Sequence, residues 1–466
     1  MTTVDEALDN AKSSKFHYKV LFVSGLGFFT DAYDLFIIGV VILILPLAGW
    51  NNISIFYKGL ITSTALLSAI IGSVTFGRLL DYLGRKEIYG LELVMLIAGA
   101  LGSAFLTPTN NILVFILWRF LLGVGIGGDY ATSSTIMTEY SNTLNRGKFV
   151  GTIFSMQSFG LLAGPLISIL FLTSGLSPSL TWRLLLAIGG IPAMLVIYFR
   201  RTMPEPPRYT ADVRGDIKTA EKNLRSYTGI DAQSKRAEKV NAKWYDLFKD
   251  KKFLITLIGT AGTWFLMDWA FYGNSIMSNS ILSFLVPSGL NGINAIILTN
   301  KYSALIFGIA AFPGYWVAVF TLDKIGRKKI QITGFLMMAI SFGIIALFPG
   351  IISAAYVYYF LMIYGISYFF IMFGPNVTTF VYPPEVFPIS TRGFGTGISA
   401  AGGKTGAFIG TFADTLILAF TNLSFLMWIL SVLAILGCAM TVFLLPETKG
   451  KTLRESSGEN RYMNQT

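Results

Sequence analysis

Two aspartates, Asp31 and Asp34, lie in the stretch GLGFFTDAYDLF, residues 25–36, which is otherwise apolar and continues into a further apolar run. A spacing of three residues places both carboxyls on one face of an α-helix. Two neighbouring carboxylates in a low-dielectric environment cannot both ionise cheaply, so one of them holds a proton near neutral pH. The sequence therefore predicts that this pair loads and unloads a proton.

A second acid lies within a stripe of aromatic residues, in the stretch TWFLMDWAFYG. Trp264, Asp268 and Tyr272 are four residues apart and share a helix face. An aromatic stripe alone is typical of core packing, but an acid in its middle is too costly to face lipid. We therefore expect this stripe to line a polar cavity.

Four further stretches carry polar side chains among small or apolar residues. They are GIGGDYATSS with Asp129 and Tyr130, SMQSFG with Gln157, FGPNVTTF with Asn376, and AAGGKTGA with Lys404. Hydroxyls, amides, an indole N–H and a protonated acid suit a small, oxygen-rich substrate. If that substrate is an anion, Lys404 or Arg119 supplies the positive field.

The composition indicates where these residues lie. Of the 466 residues, 53% are hydrophobic and 13% are charged, whereas a soluble chain is about one quarter charged. Apolar runs of about 20 residues, long enough to cross a bilayer, recur along the chain. The sequence predicts an all-α polytopic membrane protein with twelve spans, at 19–47, 56–80, 87–107, 111–138, 148–173, 182–199, 253–285, 301–321, 329–348, 352–380, 393–420 and 424–445.

The net charge of +11 does not indicate a nucleic-acid partner, because of where the charges lie. Most of the 36 Lys and Arg residues fall in the termini or in alternate loops, and the exceptions are Lys58, Arg119, Arg183, Lys301 and Lys404. This alternation is the positive-inside pattern. We expect a multi-pass protein of the cell membrane with both termini in the cytoplasm.

Metal and enzyme chemistry find little support in the sequence. Cys438 is the single cysteine and His17 the single histidine, which excludes an internal disulfide and a His/Cys metal site. No stretch has a nucleophile–base or phosphate-loop motif. We expect no metal, no cofactor and no enzymatic activity.

Ionisable residues within the predicted spans are few, and each costs roughly 2.5–3.5 kcal/mol at the bilayer centre. At about 1.5 Å per residue, Asp31, Asp129 and Asp268 lie at similar depths near the middle of their spans. Acids from both halves of the chain are thus predicted to converge on one layer. The candidate proton-coupling residues are Asp31, Asp34, Glu92, Arg119, Asp129 and Asp268.

The chain contains an internal repeat. D-x-x-G-R-K occurs in residues 77–87 and again in residues 319–329, after the second and eighth spans. Paired six-span halves around a midplane site are typical of secondary transporters. We therefore divide the chain into an N-terminal half at 1–199, a cytoplasmic linker at 200–252 and a C-terminal half at 253–466.

A second pair of motifs follows the fourth and tenth spans, where an arginine comes seven residues after a glutamate. Guanidinium groups in such loops can pair with acids, and Asp81 can cap a helix end. The candidate gating residues are Asp81, Arg85, Glu139, Arg146, Asp323, Arg327, Glu385 and Arg392.

These motifs, together with PEPPR at 204–208 and PETKG at 446–450, resemble the major facilitator superfamily. Within it, GFFTDAYDLF, GGDYATSSTIMTEY, TWFLMDWAFYG, FGPNVTTFVYPPEVFP and SAAGGKTGA resemble the phosphate:proton symporters of fungi and plants. The resemblance implies proton-coupled import of inorganic phosphate by alternating access. It implies a substrate site made of Tyr130, Gln157, Trp264, Asp268, Tyr272, Asn376 and Lys404.

Two other functions remain open on the sequence. One is a proton-coupled symporter of sugars or organic acids, which would share the fold and the gate motifs. The other is a transporter-like nutrient sensor, although such proteins usually carry long cytoplasmic extensions. We expect phosphate or another small oxygen-rich solute and protons as partners, a lipid bilayer as surroundings, and a monomer as the functional unit.

Overall fold

The computed structural model describes most of the chain. The described residues are 3–51, 53–229, 239–290 and 292–462. Residues 230–238 of the predicted linker lie outside them.

Long α-helices dominate the described residues, and eleven of them are long and apolar enough to cross a membrane. A twelfth long helix, Arg392–Phe420, is rich in glycine and alanine. We number the twelve in chain order: α1 Lys15–Ala48, α2 Ile55–Leu83, α3 Arg85–Phe105, α4 Ile112–Tyr140, α5 Arg146–Thr173, α6 Pro178–Arg201, α7 Lys251–Ile276, α8 Gly292–Ile325, α9 Arg327–Leu347, α10 Ala354–Val386, α11 Arg392–Phe420 and α12 Leu423–Leu444.

Several helices differ in length from the predicted spans. The sixth span, expected at 182–199, continues through Arg201. Arg200, which the sequence analysis assigned to the linker, therefore lies in a buried helical position. The seventh span, expected to run to residue 285, ends at Ile276 and is followed by short helices.

The two D-x-x-G-R-K repeats form tight turns rather than open loops. Gly84 alone separates α2 from α3, and Gly326 alone separates α8 from α9. Both glycines have positive φ, 107° and 106°, a conformation that side chains disfavour. The turn directs Arg85 back toward the end of α2, where Nη1 donates to the Leu80 carbonyl at 3.1 Å.

Two helices that carry site residues are locally widened or kinked. α7 contains a π-helical turn at Trp269–Gly273, directly after Asp268. α10 contains another at Met372–Asn376, in which Gly374 departs from helical geometry. Such turns often occur at functional sites, because they free backbone groups and redirect side chains.

The halves meet mainly where α2 packs along α11 and where α5 packs on α8. At the α2–α11 crossing a Cβ on Gly77 would come within 2.5 Å of the Gly393 carbonyl oxygen. Glycine is thus required for the close approach of these two backbones. The contact brings residues from both halves together in the centre of the bundle.

One end of the bundle carries the short helices Val4–Asp9, Ile217–Thr228 and Leu453–Ser457. We call this end the terminal side and the other end the opposite side. The two glycine turns also lie at the terminal side. Tyr209 of the linker donates to the Asp81 carbonyl beside the first turn, and Lys449, shortly before the last of these helices, donates to the Lys324 carbonyl beside the second.

Candidate functional site

The centre of the bundle holds a buried ion pair between α7 and α11. Lys404 Nζ lies 3.1 Å from Asp268 Oδ2 and donates to the Tyr272 hydroxyl at 3.0 Å. The ammonium also lies 4.0 Å from the ring centre of Tyr130 and 4.1 Å from that of Tyr272. All four residues are at most 1% exposed, so a cation is held at the centre between a carboxylate and two aromatic faces.

A chain of hydrogen bonds continues from this pair across both halves. Tyr130 and Tyr272 share a hydrogen bond of 2.7 Å between their hydroxyls, and Gln157 Nε2 donates to Tyr130 at 2.6 Å. The hydroxyl of Tyr315 donates to Gln157 Oε1 at 3.3 Å and accepts from Asn376 Nδ2 at 2.7 Å. Residues far apart in sequence therefore form one polar network.

Two polar atoms beside this network are unsatisfied. Trp264 Nε1 and Asp268 Oδ1 make no hydrogen bond of normal geometry among the described residues. The indole of Trp264 packs against Gly403, where a Cβ would come within 2.4 Å of the ring. The indole N–H acts on the Asp268 carboxyl without a hydrogen bond of normal geometry, so both groups have capacity left for a polar ligand at this place.

Backbone features position the central side chains. A Cβ on Gly406 would lie 2.0 Å from the Phe265 carbonyl oxygen, so α11 approaches α7 closely enough for Lys404 to reach Asp268. The π-helical turn after Asp268 and the kink at Gly374 orient Tyr272 and Asn376. All seven predicted substrate residues are buried in the central part of the bundle.

A second charged cluster lies in the N-terminal half. Arg200 donates to Asp129 through Nη1 at 2.7 Å and Nη2 at 2.8 Å, and Nη1 also donates to Glu92 at 2.8 Å. Glu92 accepts in addition from the Gly90 backbone N–H. All three charged side chains have no exposed surface. Two predicted acids are thus joined by an arginine that the sequence analysis did not select.

Asp31 lies between this cluster and the central ion pair. Neither of its carboxyl oxygens has a hydrogen-bond partner among the described residues. The charged groups that act on it are Asp129, Arg200, Asp34 and Lys404, from both halves. The structure therefore places Asp31 where a proton would affect both charged clusters.

Asp34 has different surroundings from Asp31. Its carboxyl packs against Gly189 of α6, and neither oxygen accepts a hydrogen bond among the described residues. Both terminal nitrogens of Arg119 donate at 3.0 Å to the Asp34 backbone carbonyl instead. The two aspartates of α1 make no hydrogen bond to each other. The arginine Arg119 contacts Asp34 and not Asp31 among the described residues.

The predicted gating residues form two equivalent groups at the terminal side. Glu139 pairs with Arg85 of its own half at 2.7 Å and with Arg392 of the other half at 3.4 Å. Glu385 likewise pairs with Arg327 at 2.7 Å and with Arg146 of the other half at 2.8 Å. Each glutamate therefore ties the halves together at this end.

The two aspartates of the repeats bind helix ends across the halves. Asp81 accepts from the Gly393 and Phe394 N–H groups at the start of α11, at 3.0 and 2.7 Å. Asp323 accepts from the Gly147 and Lys148 N–H groups at the start of α5, at 3.1 and 2.8 Å. A carboxylate at a helix N-terminus complements the helix dipole.

The glutamates of PEPPR and PETKG complete the symmetry. Glu205 accepts from the backbone N–H of Arg85 at 2.6 Å, at the start of α3. Glu447 accepts from the backbone N–H of Arg327 at 3.0 Å, at the start of α9. Burial raises the pKa of Glu205 above its ordinary value, although hydrogen bonds and charge from Arg85 offset part of that effect.

Two residues of these networks, Arg200 and Tyr315, and one buried acid outside them, Asp414, were not selected from the sequence. Arg200 follows an apolar run and matches the loop pattern of basic residues, so the sequence gives no signal of its burial. Tyr315 carries no charge and lies in an aromatic stretch. Asp414 is an acid within the predicted eleventh span, so the criterion that selected Asp268 also applies to it.

Comparison with known proteins decides the family. Residues 19–458 match the model of the family described as "Sugar (and other) transporter". The chain belongs to this family of the major facilitator superfamily. It is a membrane transporter rather than an enzyme, as the sequence analysis predicts.

Curated relatives match over nearly the whole transporter. It is 36% identical to "Low affinity inorganic phosphate transporter 4" of Lotus japonicus, over 98% of this chain and 94% of the relative. It is also 36% identical to "Probable inorganic phosphate transporter 1-6" of Arabidopsis thaliana, over 97% of this chain and 96% of the relative.

Solved structures confirm the predicted twelve-helix fold. The proton:xylose symporter XylE bound to 6-bromo-6-deoxy-D-glucose superposes with a TM-score of 0.74 at 21% identity, covering 96% of this chain and 99% of XylE. A partially occluded inward-open conformation of XylE from E. coli gives a TM-score of 0.73 at 21% identity, covering 94% of this chain and 100% of XylE.

Proposed function

We propose that this transporter imports inorganic phosphate together with protons by alternating access. The observation that carries the proposal is the buried Lys404 ammonium beside Asp268, surrounded by hydroxyl and amide groups, in a chain 36% identical to proteins named inorganic phosphate transporters. A buried ammonium together with several hydrogen-bond donors suits an oxyanion.

Phosphate fits the donors and acceptors of this centre better than a fully deprotonated anion does. Near neutral pH its singly charged form carries two hydroxyls, and the free Oδ1 of Asp268 accepts from one of them. The Trp264 indole N–H, which has no partner of normal geometry, donates to another phosphate oxygen. Sulfate offers no proton to an ionised Asp268 and is repelled by it, which is selection against the wrong ligand.

The remaining central residues hold the other phosphate oxygens. The hydroxyls of Tyr130 and Tyr272 and the amides of Gln157 and Asn376 exchange their present hydrogen bonds for bonds to substrate. Lys404 offsets part of the combined negative charge of Asp268 and the substrate. Because the network includes side chains from both halves, bound substrate stabilises their association.

The acids of the N-terminal half bind and release the coupled protons. Asp31 lies between the Asp129–Arg200 pair and Lys404, so binding a proton there changes the field at both. Asp34 with Arg119, and Glu92 with Asp129, complete the proton-coupling set, and Asp268 links it to the substrate. Arg200 joins this set because it holds both Glu92 and Asp129.

Gating follows from the ion pairs that join the halves at the terminal side. We assign this side to the cytoplasm, with both termini and the linker there, and the protein to the cell membrane as a monomer. The halves at 1–199 and 253–466 rotate apart when the bonds of Glu139 and Glu385 to the other half break. The site then opens to the cytoplasm.

A sugar is the second candidate substrate, because the family description names sugars and the fold matches a xylose symporter. A neutral sugar brings no charge for the Lys404 ammonium to attract, so phosphate is the better fit. Organic acids are a weaker form of this candidate, since the centre has no arginine to bind a carboxylate among the residues that contact Lys404.

Uptake by the purified protein in lipid vesicles tests the proposal. Labelled phosphate should accumulate when a pH gradient is imposed, with arsenate competing and sulfate and glucose failing to compete. Asp31→Asn should abolish uptake driven by the gradient while the protein stays folded. Accumulation of labelled glucose, or phosphate uptake that ignores the pH gradient, would contradict the proposal.

A further inference from the structure

The buried carboxyl of Asp414 belongs to none of the charged clusters described above. Asp414 of α11 has no exposed surface. Its Oδ1 accepts a long hydrogen bond of 3.4 Å from Trp269 Nε1 on α7, and its Oδ2 has no partner among the described residues. Two polar atoms of neighbouring residues, Asn274 Nδ2 and Thr411 Oγ1, are also without partners.

The surroundings of Asp414 are neutral. On α10 the titratable group that faces it is Tyr364, whose hydroxyl donates to Asn274 at 2.6 Å. α7 and α11 contribute Trp269, Asn274 and Thr411, which carry no charge. Among the described residues Asp414 forms no ion pair with a Lys or Arg, and Lys404 of the same helix is paired with Asp268. An ionised Asp414 would thus be a buried charge without a counter-ion.

Asp414 lies between the central site and the opposite side. It follows Lys404 by ten residues on α11, which is about 15 Å along a helix. On α7 its carboxyl lies against Gly273, where a Cβ would come within 2.0 Å of Oδ2. Gly273 directly follows Tyr272 and ends the π-helical turn of α7.

The end of α7 beyond this turn also contacts the other half. A Cβ on Gly39 of α1 would lie 2.1 Å from the Ile276 carbonyl oxygen, so α1 and α7 touch through backbone atoms. The segment Asn274–Ile276 therefore packs against α1 at the opposite side, and Gly273 directly before it lies against Asp414. Movement of this segment changes the exposure of Asp414.

We propose that Asp414 is a second proton-binding site of the transporter, whose protonation from the opposite side allows the Asn274–Ile276 segment to close. Burying an ionised carboxyl without a cation costs far more than burying the neutral acid. An O–H bond therefore forms at Oδ2, with a proton from water, before closure. The same bond breaks and returns the proton to water when the segment reopens.

This inference rests on the proposed function, because its test uses phosphate. Exchange of labelled for unlabelled phosphate across vesicles at equal pH on both sides needs closure of the site but no net proton flux. Exchange by the parent protein should slow as pH rises, because ionised Asp414 opposes closure. Asp414→Asn, which stays neutral, should exchange several-fold faster than the parent at the alkaline end of the range.

Trp269→Phe provides a second variant that does not depend on the asparagine protein folding. It removes the donor to ionised Asp414, so the carboxyl keeps its proton to higher pH and the fall in exchange should move to higher pH. Glu87→Gln, a change of an exposed carboxyl on α3, should match the parent. Thermal unfolding of each purified variant confirms that the compared proteins are folded.

The outcomes separate the two proposals. If the parent neither exchanges nor accumulates phosphate, the proposed function fails. If the parent does so and the profiles of the parent, Asp414→Asn and Trp269→Phe coincide, Asp414 binds no proton that matters for closure. If parent exchange requires sodium in place of potassium and Asp414→Asn abolishes that requirement, the residue is a sodium site and the proton proposal is wrong.

Discussion

The charges of Asp268 and Lys404 compensate each other. Removing one or both of them therefore separates their effect on stability from their effect on transport. Both are buried, and their charged atoms are 3.1 Å apart. Desolvation of a buried pair offsets much of its attraction, so the pair itself adds little stability. Removal of one partner, by contrast, leaves an uncompensated charge in the centre of the bundle.

Asp268→Asn should therefore abolish phosphate uptake and lower the free energy of unfolding by about 3–5 kcal/mol. The double variant with Lys404→Met should regain most of that stability, because no charge remains unpaired, but no uptake. Thermal unfolding and vesicle uptake measure the two effects. Full phosphate uptake by Asp268→Asn would show that Asp268 is not part of the substrate site.

Arg200 and Arg201 offer a matched comparison of neighbouring arginines. Arg200 is buried between Asp129 and Glu92, whereas Arg201 is exposed and donates to a backbone carbonyl at 2.7 Å. Arg200→Gln should cost about 3–5 kcal/mol, because two carboxylates lose their cation. Arg201→Gln should change stability by about 0.5 kcal/mol or less. Equal melting temperatures for the two variants would contradict the buried cluster.

At the scale of helices, the repeat in the sequence reappears as two equivalent sets of contacts. Glu139 and Glu385 each bind one arginine of their own half and one of the other. Asp81 and Asp323 each bind the first N–H groups of a helix in the other half. Equivalent contacts of this kind join the two halves at the terminal side.

Glu385→Gln should open the terminal side. A hydrogen bond to a charged group is worth about 1.5–3 kcal/mol, and the change weakens the bond to Arg146 that joins the halves. Opening is measured as maleimide labelling of Thr379→Cys in a Cys438→Ala background, since Thr379 lies on α10 between Asn376 and Glu385. Labelling should rise about tenfold, as expected for a shift of about 1.4 kcal/mol.

Glu139→Gln should raise the same labelling to a similar extent, because Glu139 holds the equivalent position. Glu87→Gln, on the exposed start of α3, serves as the control and should label at the parent rate. If neither gate variant labels faster than this control, these glutamates do not hold the terminal side closed.

The sequence predicted the helices well because span length, repeats and basic loops leave direct signals. It predicted the central residues through a costly acid, Asp268, and through motif resemblance. It could not predict Arg200, since a helix that continues two residues further turns a loop charge into a buried one. Nor could it predict Tyr315, whose role arises from contacts with Gln157 and Asn376 of distant helices.

At the scale of the whole molecule, the linker and both ends of the described chain meet in one ionic cluster. Arg208 of the linker pairs with Asp5 at 3.2 Å, near the start of the chain. Arg454, near the end of the chain, pairs with Asp5 and also with Asp212 of the linker at 3.1 Å. The cluster therefore connects three segments that lie outside the helix bundle.

This cluster is also connected to the proposed gating residues. Glu459 accepts from the Ile389 backbone N–H at 2.8 Å and lies 3.7 Å from Arg392. The Ile389 carbonyl in turn accepts from Arg85 at 2.8 Å. The charge of Arg454 acts on Glu459, so the cluster is connected through Glu459 to the proposed gating residues Arg392 and Arg85.

Two acids of the cluster have opposite titration behaviour. Burial raises the pKa of Asp5, but the guanidinium groups of Arg208 and Arg454 together outweigh it, so that pKa lies below its ordinary value. Burial and the adjacent Asp5 raise the pKa of Asp212 well above its ordinary value, and Arg454 offsets only part of this. Asp5 thus favours the charged form and Asp212 the neutral form.

The sign of each effect on stability follows from the direction in which folding moves each pKa. Asp5 stabilises the folded state above its unfolded pKa, and this contribution is lost as pH falls through its folded pKa. The contribution of Asp212 is present below its unfolded pKa and is lost as pH rises through its raised folded pKa. A tenfold difference between the folded and unfolded acid dissociation constants corresponds to about 1.4 kcal/mol of stability.

Asp5→Asn should therefore lower the melting temperature at neutral pH, by an amount that shrinks as the solution becomes acidic. Asp212→Asn should raise it at neutral pH, because the amide neither takes up a proton nor buries a charge when the protein folds. Thermal unfolding of the two purified variants and the parent, measured from acid to neutral pH, distinguishes them. If the melting temperatures of the two variants differ from that of the parent in the same direction at every pH, folding does not lower the pKa of Asp5 while raising that of Asp212. The cluster would then hold the linker and the ends of the chain together through ion pairs alone.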